Sequence, residues 1–242
     1  MKLNLRSKGI VRRTIVRWVN NAQFKSGGLK RSAGLLRKIF PGTLLINREQ
    51  AVVTVTSTLL LIIDDYHRLT SFYYLDRLLL YLVIPLGVIV LLQRRRPAEY
   101  GFGWGDWRIG LILTAAGIAL MTPVILYLAI KVPAMQSYYQ HGNDWGIIGK
   151  IGLDLIGWEF IFRGWILFSY AKKYGPDALW LQAVPFALAH LGKPELETLS
   201  TIFGGFTFGW IAWRTRSFVY PLLIHWYIAV LISAASSGLL GL

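Results

Sequence analysis

The run Gly157-Trp158-Glu159-Phe160-Ile161-Phe162-Arg163-Gly164-Trp165 sets a carboxylate and a guanidinium among apolar and aromatic residues. Positions four apart share a helix face, so Glu159 and Arg163 can satisfy each other. A bilayer penalises a central ionisable residue by about 2.5–3.5 kcal/mol on the insertion scale, so such a residue is by default a functional-site candidate. Whether this pair is one depends on the chain around it and on what faces it.

That chain is apolar. Of its 242 residues 55% are hydrophobic and 16% charged, with a mean hydropathy of +0.48, more apolar sequence than one soluble domain can cover with polar surface. The net charge of +14 does not indicate nucleic acid, because the basic residues sit at the ends of apolar runs and not across a polar face. The absence of cysteine excludes disulfides and thiolate chemistry.

Residues 1–48 carry twelve Lys or Arg and no Asp or Glu. This reads as a cytoplasmic basic arm drawn to anionic lipid, with an organellar targeting segment as the alternative. Residues 49–242 read as a helical membrane domain. Apolar segments fall at 50–66, 76–93, 109–130, 147–170, 178–191, 198–213 and 218–240. The pattern predicts an all-α polytopic bundle of about seven transmembrane helices, with six as the alternative count. With the N-terminus inside, inside connections hold twenty Lys or Arg and outside connections four, the asymmetry that orients membrane proteins. Trp104, Trp107, Trp145, Trp180 and Trp213 suit an interfacial belt, and Gly204, Gly205 and Gly209 offer a small face for a neighbouring helix. The expected location is the plasma (inner) membrane.

Three segments hold polar groups that packing does not require: Glu159 and Arg163 in the fourth, His190 in the fifth and His225 in the seventh. Each lies well within the bilayer by residue count. A carboxylate with two imidazoles can activate water and stabilise an oxyanion. The same His190, His225 and Glu159 would make a divalent-metal set, zinc for instance, if a metal is used. Simple interhelical hydrogen bonding is the bland alternative.

In order and spacing, Glu159 to Arg163 (ExxxR), Phe186 to His190 (FxxxH) and His225 resemble the CPBP family of intramembrane proteases, which includes the CAAX prenyl endopeptidases. The likeness covers residues 147–229. It implies an endopeptidase that cleaves a membrane-associated protein or peptide, with Glu159 as general base, His190 and His225 on the oxyanion, and Arg163 fixing Glu159. Two positions depart from the family pattern: Trp158 stands where its first, water-activating Glu would be, and Ala229 where its Asn or Asp would be. Glu197 is a candidate replacement carboxylate. An inactive relative serving as scaffold, immunity factor or peptide binder is the competing expectation, and a small transporter a third.

Overall fold

The structure is a computed structural model that describes residues 46–140 and 146–241. The basic arm up to residue 45, His141 and Trp145 lie outside the described residues. Every regular element within them is helical: α1 (Arg48–Tyr66), α2 (Tyr73–Leu92), α3 (Trp107–Lys131), α4 (Pro133–Tyr139), α5 (147–174), α6 (Ala178–Leu188), α7 (Glu195–Thr215) and α8 (Val219–Ser236).

The helices begin and end where local chemistry provides for it. Asn47 caps α1, its side chain accepting from the amides of Glu49 and Gln50 at 3.0 and 3.3 Å, which satisfies donors that the first helical turn leaves free. Asp106 caps α3 through the Ile109 amide and also holds Arg214 at 3.1 Å. Arg216 closes α7 in the left-handed region, and the Ser217 hydroxyl then accepts from the Val219 amide at the start of α8. The short α4 was not among the expected segments. Pro133 opens it, a residue suited to the first helical position because its missing N–H needs no partner there.

One end of the bundle is tied together by polar contacts. There Lys172 meets Glu49 at 2.6 Å, and the Tyr100 hydroxyl donates to Gln93 at 2.8 Å. The Asp106 amide donates to the Thr215 carbonyl at 2.8 Å. Arg94 to Arg96, Arg108, Lys172, Lys173, Arg214 and Arg216 belong to the connections and helix ends that carry these contacts. Among the described residues, three helices, Tyr73–Leu92, Trp107–Lys131 and Val219–Ser236, are long and apolar enough to cross a membrane. The helix carrying the opening motif is interrupted by Lys150, Asp154, Glu159 and Arg163, and α6, with 11 residues, reaches only about 16 Å at 1.5 Å per residue.

The core that positions the motif is aromatic. Tyr81, Tyr100, Trp158, Phe160, Phe162, Trp165, Phe186 and Phe218 belong to one buried cluster. The expected close approach at the α7 glycines is made by α6: the Gln182 side-chain amide donates to the Gly205 carbonyl at 2.7 Å, and a Cβ at 205 would lie 3.0 Å from Ala183 Cβ. Gly204 has open space instead.

Gly157 brings α5 against α2. A Cβ there would sit 2.5 Å from the Arg77 carbonyl oxygen and 3.1 Å from its carbon, backbone atoms that cannot rotate away. Gly157→Ala should therefore destabilise the fold by about 1–3 kcal/mol, the usual range for overpacking, read as a lowered unfolding temperature in nanodiscs. An unchanged melting temperature would show that the two helices separate at little cost.

Candidate active site

The α5 backbone leaves α-helical geometry just after Glu159. Residues Phe160–Ile166 form a π-helical turn, and all seven are buried; such turns recur at functional sites. Gly164 lets the chain at Tyr100 close on this turn, since a Cβ there would lie 2.9 Å from the Tyr100 carbonyl oxygen and 2.7 Å from the Phe160 ring. Glu159 and Arg163 are both fully buried, with Arg163 Nε 3.3 Å from Glu159 Oε2. The guanidinium stacks 3.8 Å from the Phe186 ring centroid, with Phe208 at 5.3 Å, where a cation gains from the ring quadrupole.

The other Glu159 oxygen is bound. His225 Nδ1 lies 2.6 Å from Oε1, and an ionised carboxylate only accepts, so Nδ1 carries the hydrogen and Nε2 is left with its lone pair. His190 shows the same pattern from a different source. Its Nδ1 lies 2.8 Å from the Phe186 carbonyl oxygen, an obligate acceptor, which again leaves Nε2 as the free nitrogen. The ring is held on a turn after α6 and not in the helix itself, because α6 ends at Leu188. Thr198 clamps that turn by donating to the His190 carbonyl at 2.8 Å.

Both imidazoles line a cavity of about 470 Å³, whose walls also carry Asp154, Tyr139, Lys193, Glu197 and Ala229 amid apolar residues such as Met121, Leu128 and Ile232. The structure thus brings His190 and His225 to one space, and places Glu159 behind His225, off the cavity wall. Glu159, expected to act on water, lies against the His225 imidazole at 2.6 Å and is not among the residues lining the cavity. An oxyanion role for the histidines is constrained too, since a ring whose Nδ1 hydrogen is committed donates from Nε2 only as imidazolium.

The expected metal set does not fit these residues. Among the described residues no three His, Asp or Glu side chains are disposed to hold a metal ion, and Glu159 is already divided between Arg163 and His225. Glu197, the candidate replacement carboxylate, reaches the same cavity but accepts from the Tyr139 hydroxyl at 2.7 Å and from Lys193 at 2.8 Å. Burial, and then the Glu197 charge, push the Tyr139 hydroxyl above its ordinary value, so it stays a donor.

One further charged group packs behind the site. Arg77 bridges Asp64 and Asp154, each at 3.1 Å, and the Tyr81 hydroxyl joins Asp64 at 2.8 Å. The available signal was the same one that exposed Glu159, an ionisable residue at the edge of or within an apolar run.

An all-helical membrane protein with buried polar groups backing an internal cavity is the class these features define. Residues 142–231 match the family model described as Type II CAAX prenyl endopeptidase Rce1-like. The matched segment contains Glu159, Arg163, His190 and His225, in agreement with the resemblance of the motifs, and the family it resembles is one of proteases. No curated protein and no solved structure matches the chain.

Proposed function

We propose that the chain is an intramembrane endopeptidase that hydrolyses a peptide bond in a membrane-associated protein or peptide, acting as a multi-pass protein of the plasma membrane. The observation that carries this reading is the 2.6 Å contact of Glu159 Oε1 with His225 Nδ1, behind a ring that lines the cavity. A carboxylate on one imidazole nitrogen fixes the tautomer and balances the charge that develops when the other nitrogen takes a proton. His225 Nε2 accepts a proton from water as the water oxygen bonds to the scissile carbonyl carbon. The tetrahedral adduct then collapses, the C–N bond breaks, and the imidazolium returns its proton to the leaving amine. His190, neutral with Nε2 free, holds the second water hydrogen and aims the oxygen. Arg163 keeps the Glu159 charge in balance throughout.

The test is reconstitution in nanodiscs with a library of membrane-anchored peptides, reading new termini by mass spectrometry. Cleavage lost on His190→Ala and His225→Ala supports the reading. Peptide capture with no cleavage under any condition would favour the inactive, peptide-binding reading, which Trp158 and Ala229 motivate. Because the carboxylate is engaged elsewhere, cleavage is expected to keep its full rate after exhaustive chelation. Loss of activity restored by a divalent ion would contradict the assignment of His225 as a metal-free base.

A further inference from the structure

The resembling family keeps a carboxylate at the position of Trp158, whereas here an indole fills it and can neither take a proton nor bind water through an acceptor. The indole is nevertheless packed against Arg77, Tyr81, Phe162, Phe186 and His190. The Arg77 guanidinium carbon lies 4.7 Å from the Trp158 ring centroid. The His190 ring meets the indole at 5.7 Å with an interplanar angle of 73°, an edge-to-face geometry that aromatic rings favour. Arg77 cannot wander: Nε and Nη1 are held by Asp64 and Asp154, and Asp64 is held in turn by Tyr81. Gly157 lets the α2 backbone close on α5 at this level, which brings Arg77 onto the indole of the next residue.

We propose that Arg77 is a positioning residue that acts through Trp158 on His190. The ion triad of Asp64, Arg77 and Asp154 fixes the indole, and the indole holds the imidazole so that Nδ1 keeps its bond to the Phe186 carbonyl and Nε2 stays free toward the cavity. The role rests on the proposed site, where His190 needs that one tautomer, but its structural content does not depend on cleavage. Position 158 then contributes to the chemistry by holding a base partner in place and not by acting as one. Without the aromatic wall the ring would turn, exchange its carbonyl bond for other partners and populate both tautomers.

The test uses full-length protein with nitrogen-15 histidine in nanodiscs, the His190 signals being assigned by their loss in His190→Gln. Wild type should show the Nδ1–H tautomer. Trp158→Leu should lower the ratio of the Nδ1–H to the Nε2–H form by about tenfold, the scale of one lost cation–π and one lost aromatic contact. Trp158→Phe, which keeps a face for Arg77 and an edge for His190, should retain the wild-type signals. Arg77→Gln alone would strand two buried carboxylates, so the triad is tested as Asp64→Asn/Arg77→Gln/Asp154→Asn, which is uncharged and amide-bonded; it should shift in the direction of Trp158→Leu. Wild-type His190 signals in folded Trp158→Leu or in the triple variant would overturn the proposal, as would failure of Trp158→Phe to rescue. A wild-type protein that cleaves nothing yet shows these shifts would remove the protease reading and leave the positioning role standing. Active cleavage with unmoved His190 signals would do the reverse.

Discussion

Replacing His225 with asparagine is expected to slow peptide-bond cleavage by about 10²–10⁴-fold, the usual contribution of a general base, while leaving the protein folded. The choice of residue separates two roles of one ring. The asparagine side-chain amide nitrogen can take the place of Nδ1 and donate to Glu159 Oε1, where His225 now sits at 2.6 Å. It has nothing at the position of Nε2. The buried carboxylate therefore keeps a partner and only the proton acceptor facing the cavity is lost. His225→Ala removes both and should add about 1–3 kcal/mol of destabilisation, because the Glu159 oxygen is left without a donor. Single-turnover cleavage should fall equally in the two variants, with the loss in kcat and little in KM, since the interaction removed is made in the transition state. Thermal unfolding should distinguish them. A His225→Asn variant that turns over at the wild-type rate would exclude His225 as the base.

Much of the bundle was legible because long apolar runs leave few ways to bury themselves. The third segment, expected at 109–130, is the helix Trp107–Lys131, and the fourth begins at residue 147 as expected. The misses have physical causes. The helix Pro133–Tyr139 is two turns long and too short for a periodic signal. The fifth segment reads as apolar through residue 191 because Ala189 and Leu191 are apolar, whereas Gly192, at a φ of +90°, takes a backbone conformation open to a residue without Cβ and marks the reversal. The chemistry of His190 is legible in the sequence, but the residue belongs to a turn and not to the helix.

Within the site, residue identity was easier to read than orientation. Counting by 3.6 residues brought Glu159 and Arg163 together, and they do meet. The count fails beyond that point, because the π-helical turn over Phe160–Ile166 shifts every later side chain around the axis. Nothing in the spacing shows that Glu159 turns its second oxygen to His225, sixty-six residues on, or that of these two it is His225 that lines the cavity. The Asp64–Arg77–Asp154 triad shows a related limit. Its members are 13 and 77 residues apart, so each looks like an isolated charge until α1, α2 and α5 are packed.

The Glu159–Arg163 pair should prove more important to chemistry than to folding. Both side chains are fully buried, their closest atoms are 3.3 Å apart, and among the described residues Arg163 Nε, Nη1 and Nη2 find no hydrogen-bond partner. A guanidinium desolvated among Phe162, Phe186 and Phe208 recovers part of its lost hydration from the rings, but not from any acceptor other than the nearby carboxylate charge. Removing one partner leaves an uncompensated buried charge, which costs about 3–5 kcal/mol. Glu159→Gln and Arg163→Met should each destabilise the protein on that scale. The double variant removes both charges and should recover most of the loss, since replacing a buried pair by neutral groups of similar volume is often neutral or stabilising by about 1–4 kcal/mol. Cleavage should not recover. The glutamine introduced by Glu159→Gln can still accept from His225 Nδ1 through its amide oxygen, so the tautomer survives, but the imidazolium formed when water is deprotonated would have no carboxylate to balance it. The double-mutant cycle in unfolding free energy, run beside the same cycle in cleavage rate, therefore separates the two uses of the pair. A double variant as unstable as the worse single one would assign Glu159 and Arg163 a structural role beyond mutual neutralisation. Recovery of cleavage along with stability would mean that the carboxylate is present only to offset the arginine, and that His225 works without it.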